Sequence, residues 1–233
     1  MLRSAVTIII PAYNEENTVG RVLSETVSIM DETDIPYEVI VVDDGSTDKT
    51  GLIVSNHKVT LLKNDKNRGK GYSLRKALQH SQGEIIVTMD ADGEHNPKEL
   101  PDVIKPLFNG TDIVAGSRFI GSNPKVTTRL NQVGNHFFNM AILILTGKHI
   151  TDSQTGFRAI KRDVLSTFNL ESDGYEIESE ITVKSLKNGF AFKETPISVE
   201  RRRYNISKLK VLSDGTKILK AIVKASFSKI EHS

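Results

Sequence analysis

Through the first 120 positions, short β-branched apolar runs end in polar or glycine-rich residues and give way to stretches of helical periodicity. Val6 to Ile10 predicts a buried strand, Pro11-Ala12-Tyr13-Asn14-Glu15 breaks it, and Thr18 to Met30 reads as helix. Val39 to Val42 predicts a second strand, with Asp43-Asp44-Gly45-Ser46 as its turn and Thr47 or Asp48 as the cap of the next helix. Val59 to Leu62, Ile85 to Met89 and Ile113 to Ala115 predict three further strands. Gly71 to His80 predicts a helix, as does the segment from Pro97, well suited to a first turn, to Phe108. Near-continuous apolar strands alternating with helices imply an α/β protein whose mostly parallel, Rossmann-like central sheet carries helices on both faces. Ligands of such sheets bind beyond the carboxyl ends of the strands. Asn14, Glu15, Asp43, Asp44, Asp90, Asp92 and Arg118 all fall at that edge.

The second half is less regular. Thr127 to Thr146 and Tyr175 to Lys187 read as helices, Ala191 to Val199 as a strand whose Pro196 suggests an edge or bulge position, and Leu212 to Ile230 as an amphipathic helix. No repeat, low-complexity tract or linker interrupts the chain. The expected organisation is one catalytic unit over residues 1–210, with a basic amphipathic helix over 211–233 that is part of it or appended to it.

Composition narrows the class. The chain has 233 residues, 38% of them hydrophobic, which can bury a sizeable core and excludes disorder as the main state. It has no cysteine, which excludes a disulfide scaffold, thiolate metal sites and a cysteine nucleophile. A spanning helix needs about 20 predominantly apolar residues; Phe137 to Leu145 is short and interrupted by Asn139. The N-terminus lacks a signal-peptide pattern, so a cytoplasmic protein is expected. Net charge is only +2, yet from Arg201 onward nine Lys/Arg face two acids. That asymmetry suggests an acidic ligand, a phosphate or an anionic surface near the tail, with a solvated basic helix as the plainer reading.

Asp90 and Asp92, with Glu94 close behind, put up to three carboxylates within reach of one point if the segment is extended, because side chains at i and i+2 then share a face. Close carboxylates repel unless a cation sits between them, and a hard divalent ion with oxygen ligands suits that place; a solvated acidic loop is the alternative. His95 could join, more readily for Mn²⁺. Arg68-Gly69-Lys70-Gly71 could approach a phosphate through backbone amides and cations, although it lacks Walker spacing. No G-x-G-x-x-G follows the first strand, which argues against a dinucleotide dehydrogenase. His57, His80, His136 and His149 have no spacing that assigns them chemistry.

Five segments taken together are more specific: Ile-Ile-Ile-Pro-Ala-Tyr-Asn-Glu-Glu (Ile8 to Glu16), Val-Val-Asp-Asp-Gly-Ser-Thr-Asp (Val41 to Asp48), Asn-Arg-Gly-Lys-Gly (Asn67 to Gly71), Asp-Ala-Asp-Gly (Asp90 to Gly93) and Gly-Ser-Arg (Gly116 to Arg118). The set resembles the signature of family 2 glycosyltransferases with the GT-A fold. With Asp-Ser-Gln-Thr-Gly-Phe-Arg (Asp152 to Arg158) and Ser207-Lys208-Leu209, it is similar to the subgroup that makes dolichyl-phosphate mannose and glucose. The resemblance implies that Pro11, Ala12, Tyr13, Glu15 and Asp43, with Asp44 as neighbour or turn former, hold the base and ribose of a UDP- or GDP-sugar. Lys70, Asp90, Ala91 and Asp92 belong to the same donor site. Asp90 and Asp92 match Asp-X-Asp, and with Glu94 would carry Mg²⁺ or Mn²⁺ on the diphosphate. Mannose synthases usually have Gln at position 94, so Glu94 is a departure that leaves the donor open. Asp92, Arg118, Arg129 and Arg202 are the implied catalytic group. Arg118, Arg129, Arg202, Arg203, Ser207 and Lys208 are the implied acceptor-phosphate contacts, with Arg201 an alternative within its triplet.

The acceptor follows from chemistry. A lipid monophosphate, with a second pKa of about 6, is anionic near neutrality and needs cations to position it rather than a strong base. A sugar hydroxyl would need a carboxylate base, for which Asp152 or Glu178 are the candidates. The arginine-rich tail favours polyprenyl or dolichyl phosphate, direct displacement would invert the anomeric centre, and transfer to a hydroxyl of a glycan or lipid-linked oligosaccharide is the alternative. A membrane-resident acceptor implies peripheral contact at the cytoplasmic face. The helix from Val211, with Ile218, Leu219, Ile222 and Val223 on one face and Lys217, Lys220 and Lys224 on another, and the patch from Phe137 to Leu145 could each lie in an interface or pack as core. A noncatalytic nucleotide-binding or membrane module is a further reading. Nucleic acid is not expected, because aromatics are not interleaved with the tail's charges.

Overall fold

The computed structural model describes residues 5–120, 129–200 and 211–228. Strand β1 (Val6–Ala12) takes the interior of the sheet, because its isoleucines are buried on both faces. Strands β2 (Tyr37–Asp43) and β4 (Ile85–Thr88) flank it in parallel, and β3 (Thr60–Lys63) extends the sheet beyond β2. On the other side β6 (Arg158–Lys161) runs antiparallel to β4 and to β5 (Ile113–Ser117), and β7 (Phe192–Pro196) pairs parallel with β5. The order is β3-β2-β1-β4-β6-β5-β7, so the expected mostly parallel sheet is mixed at β6. Four residues are too few for β6 to have shown its period in the sequence. Pro196 sits at the end of an edge strand, where its missing N–H breaks no central ladder.

Alternation along β1 sorts the two faces. Ile8 and Ile10 join Val41 and Val87 under α1 (Val19–Asp31) and α4 (Leu100–Ile104), against Leu23 and Val103. Ile9 joins Ile40, Val42 and Ile86 against Leu74 of α3 (Lys70–His80) and Ile181 of α7 (Ile177–Lys187). Each such isoleucine contributes roughly 1.5–3 kcal/mol by burial. Short helices α2 (Thr50–Ser55) and α6 (Arg162–Ser166) complete the cover. The helix expected from Pro97 to Phe108 is broken into a 3₁₀ turn, α4 and a second 3₁₀ turn (Lys105–Asn109), because Pro101 and Pro106 each remove a backbone donor.

Helices α5 (Arg129–Thr146) and α8 (Val211–Phe227) build a third apolar cluster with α7, in which Ile142, Val183, Ile218, Ile222 and Ala225 are buried. Ile218 and Ile222, one option for which was an interfacial role, are therefore core. The patch from Phe137 to Leu145 divides: Ile142 packs inward with Phe138, Ala141 and Leu145 against it, while Phe137, Met140 and Ile144 stay exposed. Among the described residues no helix is long and apolar enough to cross a membrane.

Register sets up the site. Ala12 lies opposite Asp43, Asp43 opposite Lys63, and Ile9 opposite Thr88, so the loops after β1, β2 and β4 leave one edge together. Because β6 is reversed, Arg158 pairs with Thr88 and Ala115, which brings the residues just before it to the same edge.

Candidate active site

The loops after β1 and β2 are fastened to each other by side chains. Asn14 adopts φ 50, a left-handed conformation that asparagine tolerates; its N–H donates to Ser46 Oγ (2.9 Å), and Thr47 N–H donates to its Oδ1 (2.8 Å). Glu15 N–H donates to Thr50 Oγ1 at 2.7 Å, and the buried Glu15 carboxylate accepts the Thr18 hydroxyl at 2.9 Å. Asp48 Oδ1 accepts the Thr50 N–H at 2.9 Å, doing the capping work expected of Thr47 or Asp48. Pro11 and Ala12 end β1, and Tyr13 follows half-buried at the mouth.

The paired aspartates after β2 have separate tasks. Asp43 Oδ1 accepts Ser46 N–H at 2.9 Å, an Asx turn. Asp44, buried, accepts Arg68 N–H (2.9 Å), Gly69 N–H (2.8 Å) and Asn64 Nδ2 (2.7 Å). The Arg68 and Gly69 amides, expected to face a phosphate, are thus committed to Asp44. Lys70 also turns inward: its Nζ lies 2.5 Å from Asp90 Oδ1 and 2.9 Å from Glu178 Oε1, and Glu178 Oε2 is 3.1 Å from Arg158 Nε. Burial works against the Lys70 charge, but the two carboxylates outweigh it and raise its pKa.

The Asp90 to Glu94 segment is a turn, not the extended run expected. Gly93 sits at φ +75, and Asp92 Oδ1 accepts Glu94 N–H at 3.0 Å within that turn. The shared-face argument for Asp90 and Asp92 therefore fails: Asp90 faces Lys70, while Asp92 is buried under its own turn. His95 does not stand ready as a ligand through Nδ1, which accepts Asp90 N–H at 3.3 Å; the ring stacks on Phe157 at 5.3 Å between centroids. Burial, aided by Lys70 and Arg118, pushes the His95 pKa down. Among the described residues no three His, Asp or Glu side chains form a group that could hold a metal ion unaided. Mg²⁺ is usually held by one or two carboxylates with water and substrate phosphate, so the all-oxygen pair Asp92 and Glu94 fits an ion shared with a diphosphate, not a protein cage.

Arg118, just after β5, is clamped by Asp152: Nε to Oδ2 at 2.7 Å and Nη2 to Oδ1 at 2.8 Å. The Asp152 side chain has 0% of its surface accessible against 18% for Arg118, so the cation and not the carboxylate reaches the cleft. Burial lowers the Arg118 pKa and Asp152 more than restores it, with Glu94 and Asp90 adding to the rise. Glu194 of β7 accepts the Thr151 and Asp152 N–H groups at 2.9 Å each, fixing the loop that carries Asp152. Neither Glu194 nor Gly156 was singled out for a role in the sequence. A Cβ on Gly156 would lie 2.3 Å from Lys70 Nζ and 2.7 Å from Asp90 Oδ2.

The structure thus gathers Glu15, Asp43, Asp44, Lys70, Asp90, Ala91, Asp92, Glu94 and Arg118 at one sheet edge. Glu200 N–H donates to Glu94 O at 2.9 Å, so the basic triplet follows in sequence from the Asp-rich loop. Arg201, Arg202, Arg203, Ser207 and Lys208 lie outside the described residues, as does the side chain of Arg129, the first residue of α5. Beside Arg118 and Asp152, a groove of about 360 Å³ is lined by Phe119, Asn135, Met140, Leu143, Ile150 and Thr151, among others.

A family model described as Glycosyl transferase family 2 matches residues 7–168. The chain is 30% identical to the UDP-N-acetylglucosamine--dolichyl-phosphate N-acetylglucosaminyltransferase of Methanococcus voltae, with 99% of each covered. It is 34% identical to the glycosyltransferase AglJ of Haloferax volcanii over 79% of this chain, and spans 59% of that protein. Among solved structures, glucosyl-3-phosphoglycerate synthase from Mycobacterium tuberculosis, in complex with Mn²⁺, UDP and phosphoglyceric acid, superposes with a TM-score of 0.76 at 20% identity, covering 98% of this chain and 80% of that one. That likeness shows the fold.

Proposed function

The chain belongs to glycosyl transferase family 2 and is a glycosyltransferase; from that premise we propose that it moves a hexose or N-acetylhexosamine from a UDP- or GDP-sugar to dolichyl or another polyprenyl phosphate, with Mg²⁺ or Mn²⁺ and inversion at the anomeric carbon. One observation carries the acceptor. Both carboxylates that could serve as a base for a hydroxyl, Asp152 and Glu178, are sequestered in ion pairs with side-chain exposures of 0% and 5%, whereas Arg118 keeps a guanidinium edge at the cleft. A site with a positioned cation and no accessible base suits an acceptor that is already anionic.

In this reading the loops after β1 and β2 hold base and ribose, and Asp92 with Glu94 holds the ion. When bound, the ion supplies charge stabilisation to the departing diphosphate. Arg118, with Arg129 and the triplet Arg201 to Arg203, orients the lipid phosphate, whose oxygen attacks the anomeric carbon as the bond to the nucleoside diphosphate breaks. An α-linked donor then yields a β-linked lipid phosphate. The dolichyl-phosphate substrate for which the Methanococcus voltae relative is named, and the Mn²⁺ and UDP held together in the mycobacterial complex, support the assignment.

Peripheral contact with a cytoplasmic membrane face is part of the proposal. Val133, Phe137, Met140 and Ile144 recur at spacings of four, three and four on α5 and are 45–75% exposed, on a helix without an acidic residue. Met140 also lines the groove beside Arg118, so the acceptor's apolar chain has a path from lipid to cleft. The test incubates purified chain with a panel of labelled nucleotide sugars, Mn²⁺ and polyprenyl phosphate. Chloroform-soluble label is expected from one donor, and label confined to polar glycans refutes the acceptor.

A further inference from the structure

Lys70 opens α3, yet its ammonium is not directed outward; it lies between Asp90 and Glu178, with a side chain 11% exposed. Three features from distant parts of the sequence serve that placement. Glu178 of α7 is itself fixed by the fully buried Arg158, whose guanidinium also donates to Thr155 O, Ser153 O and Thr182 Oγ1. Gly156 leaves the space the ammonium fills, since a methyl group there would overlap both Nζ and the Asp90 carboxylate. Asp44 accepts the Arg68 and Gly69 N–H groups and so sets the start of α3 from which Lys70 projects. The product is a buried chain of alternating charge, Arg158–Glu178–Lys70–Asp90, ending in the turn that carries Asp92.

We infer that Lys70 is a positioning residue: its ammonium is the fixed counter-cation of Asp90, holding that carboxylate off the divalent ion and leaving Asp92 as the aspartate that carries the ion against the donor's diphosphate. The inference rests on the metal-dependent reading above and assigns roles within it. A dication on Asp90 would share one carboxylate with an ammonium 2.5 Å from Oδ1, and at such separations two cations repel strongly even at a protein-like effective dielectric. The same ammonium cancels the repulsion Asp90 would otherwise exert on Asp92 and Glu178.

The test is Mn²⁺ binding to the donor-free chain, read by electron paramagnetic resonance, for wild type, Lys70→Met and Gly156→Ala. Lys70→Met removes the counter-cation; Gly156→Ala keeps every charge but crowds the ammonium away, and so serves if the first variant folds poorly. Both are expected to bind Mn²⁺ about tenfold more tightly without donor, because Asp90 is released as a ligand. Both should lose kcat with little change in donor KM, and adding Asp90→Asn should abolish the gain. Unchanged or weaker Mn²⁺ binding in both variants, with a raised donor KM, overturns the inference and makes Lys70 a direct donor contact. Asp92→Asn separates the two levels: if Mn²⁺ strengthens UDP binding equally in wild type and in that variant, it is the metal-dependent reading that fails.

Discussion

Asp152→Asn is the substitution on which two accounts of the chemistry divide. Asp152 has no accessible side-chain surface, and both its oxygens receive Arg118 at 2.7 and 2.8 Å. Asparagine keeps one acceptor and turns a donor toward the guanidinium. One charge-assisted hydrogen bond, worth about 1.5–3 kcal/mol, is lost, and a mostly buried cation is left without its counter-charge. Breaking a fully buried pair costs about 3–5 kcal/mol; with Arg118 18% exposed, solvent takes up part of that. The expected loss is then about 2–4 kcal/mol, which for a domain of this size lowers Tm by roughly 5–15 °C. Turnover should fall because Arg118 is no longer aimed. The assay is urea or thermal unfolding with initial-rate kinetics, run as a cycle with Arg118→Met. If the pair acts as described, the double variant is hardly worse than Arg118→Met alone. A general base would behave otherwise, losing about 10²–10⁴ in rate with stability unchanged and effects independent of Arg118. That outcome would refute the anchoring role and revive a sugar hydroxyl as acceptor.

Further expectations follow from the same geometry. Asp44→Ala removes the acceptor of three donors from residues 64–69 and should weaken donor binding and cost about 2–3 kcal/mol, measured by UDP titration and chemical denaturation. Glu180 accepts from Lys184 and from Ser172; burial raises its pKa, but these bonds outweigh it and hold it below the ordinary 4.5. Its contribution is therefore complete above pH 4.5 and lost as pH falls through the lower folded value, so the stability gap between wild type and Glu180→Gln should shrink on acidification below that point. Placing Asp at both Phe137 and Ile144, exposed on α5, should abolish sedimentation with anionic vesicles while leaving Tm within about 1 °C, since the substituted side chains face solvent. Retained vesicle binding would remove α5 as the contact.

The fold was legible where the strands are long and apolar. Val6 to Ile10 and Val39 to Val42 declare themselves by composition, and the sheet edge then follows from the alternation of strand and helix. Strand β6 was not legible, because four residues with Arg158 buried among them carry no period, and its direction depends on pairing with β4 and β5. The site residues could be gathered from the sequence, but not their partners. Asp90 and Asp92 were placed on one face by assuming an extended backbone, which Gly93 at φ +75 turns into a bend. Lys70 and the amides of Arg68 and Gly69 looked outward in sequence and look inward in structure, because Asp44, Asp90 and Glu178 come from positions 20 to 108 residues away. Long-range ion pairs of this kind leave no local pattern.

The most direct test of the acceptor pairs polyprenyl phosphate with the unphosphorylated polyprenol of equal length, each given to the purified enzyme with its preferred nucleotide sugar and Mn²⁺. Transfer to the phosphate alone, as a β-linked glycosyl phosphate, is the predicted result. Equal transfer to the alcohol would contradict it, because it would require a base where only Asp152 and Glu178, both sequestered, are candidates.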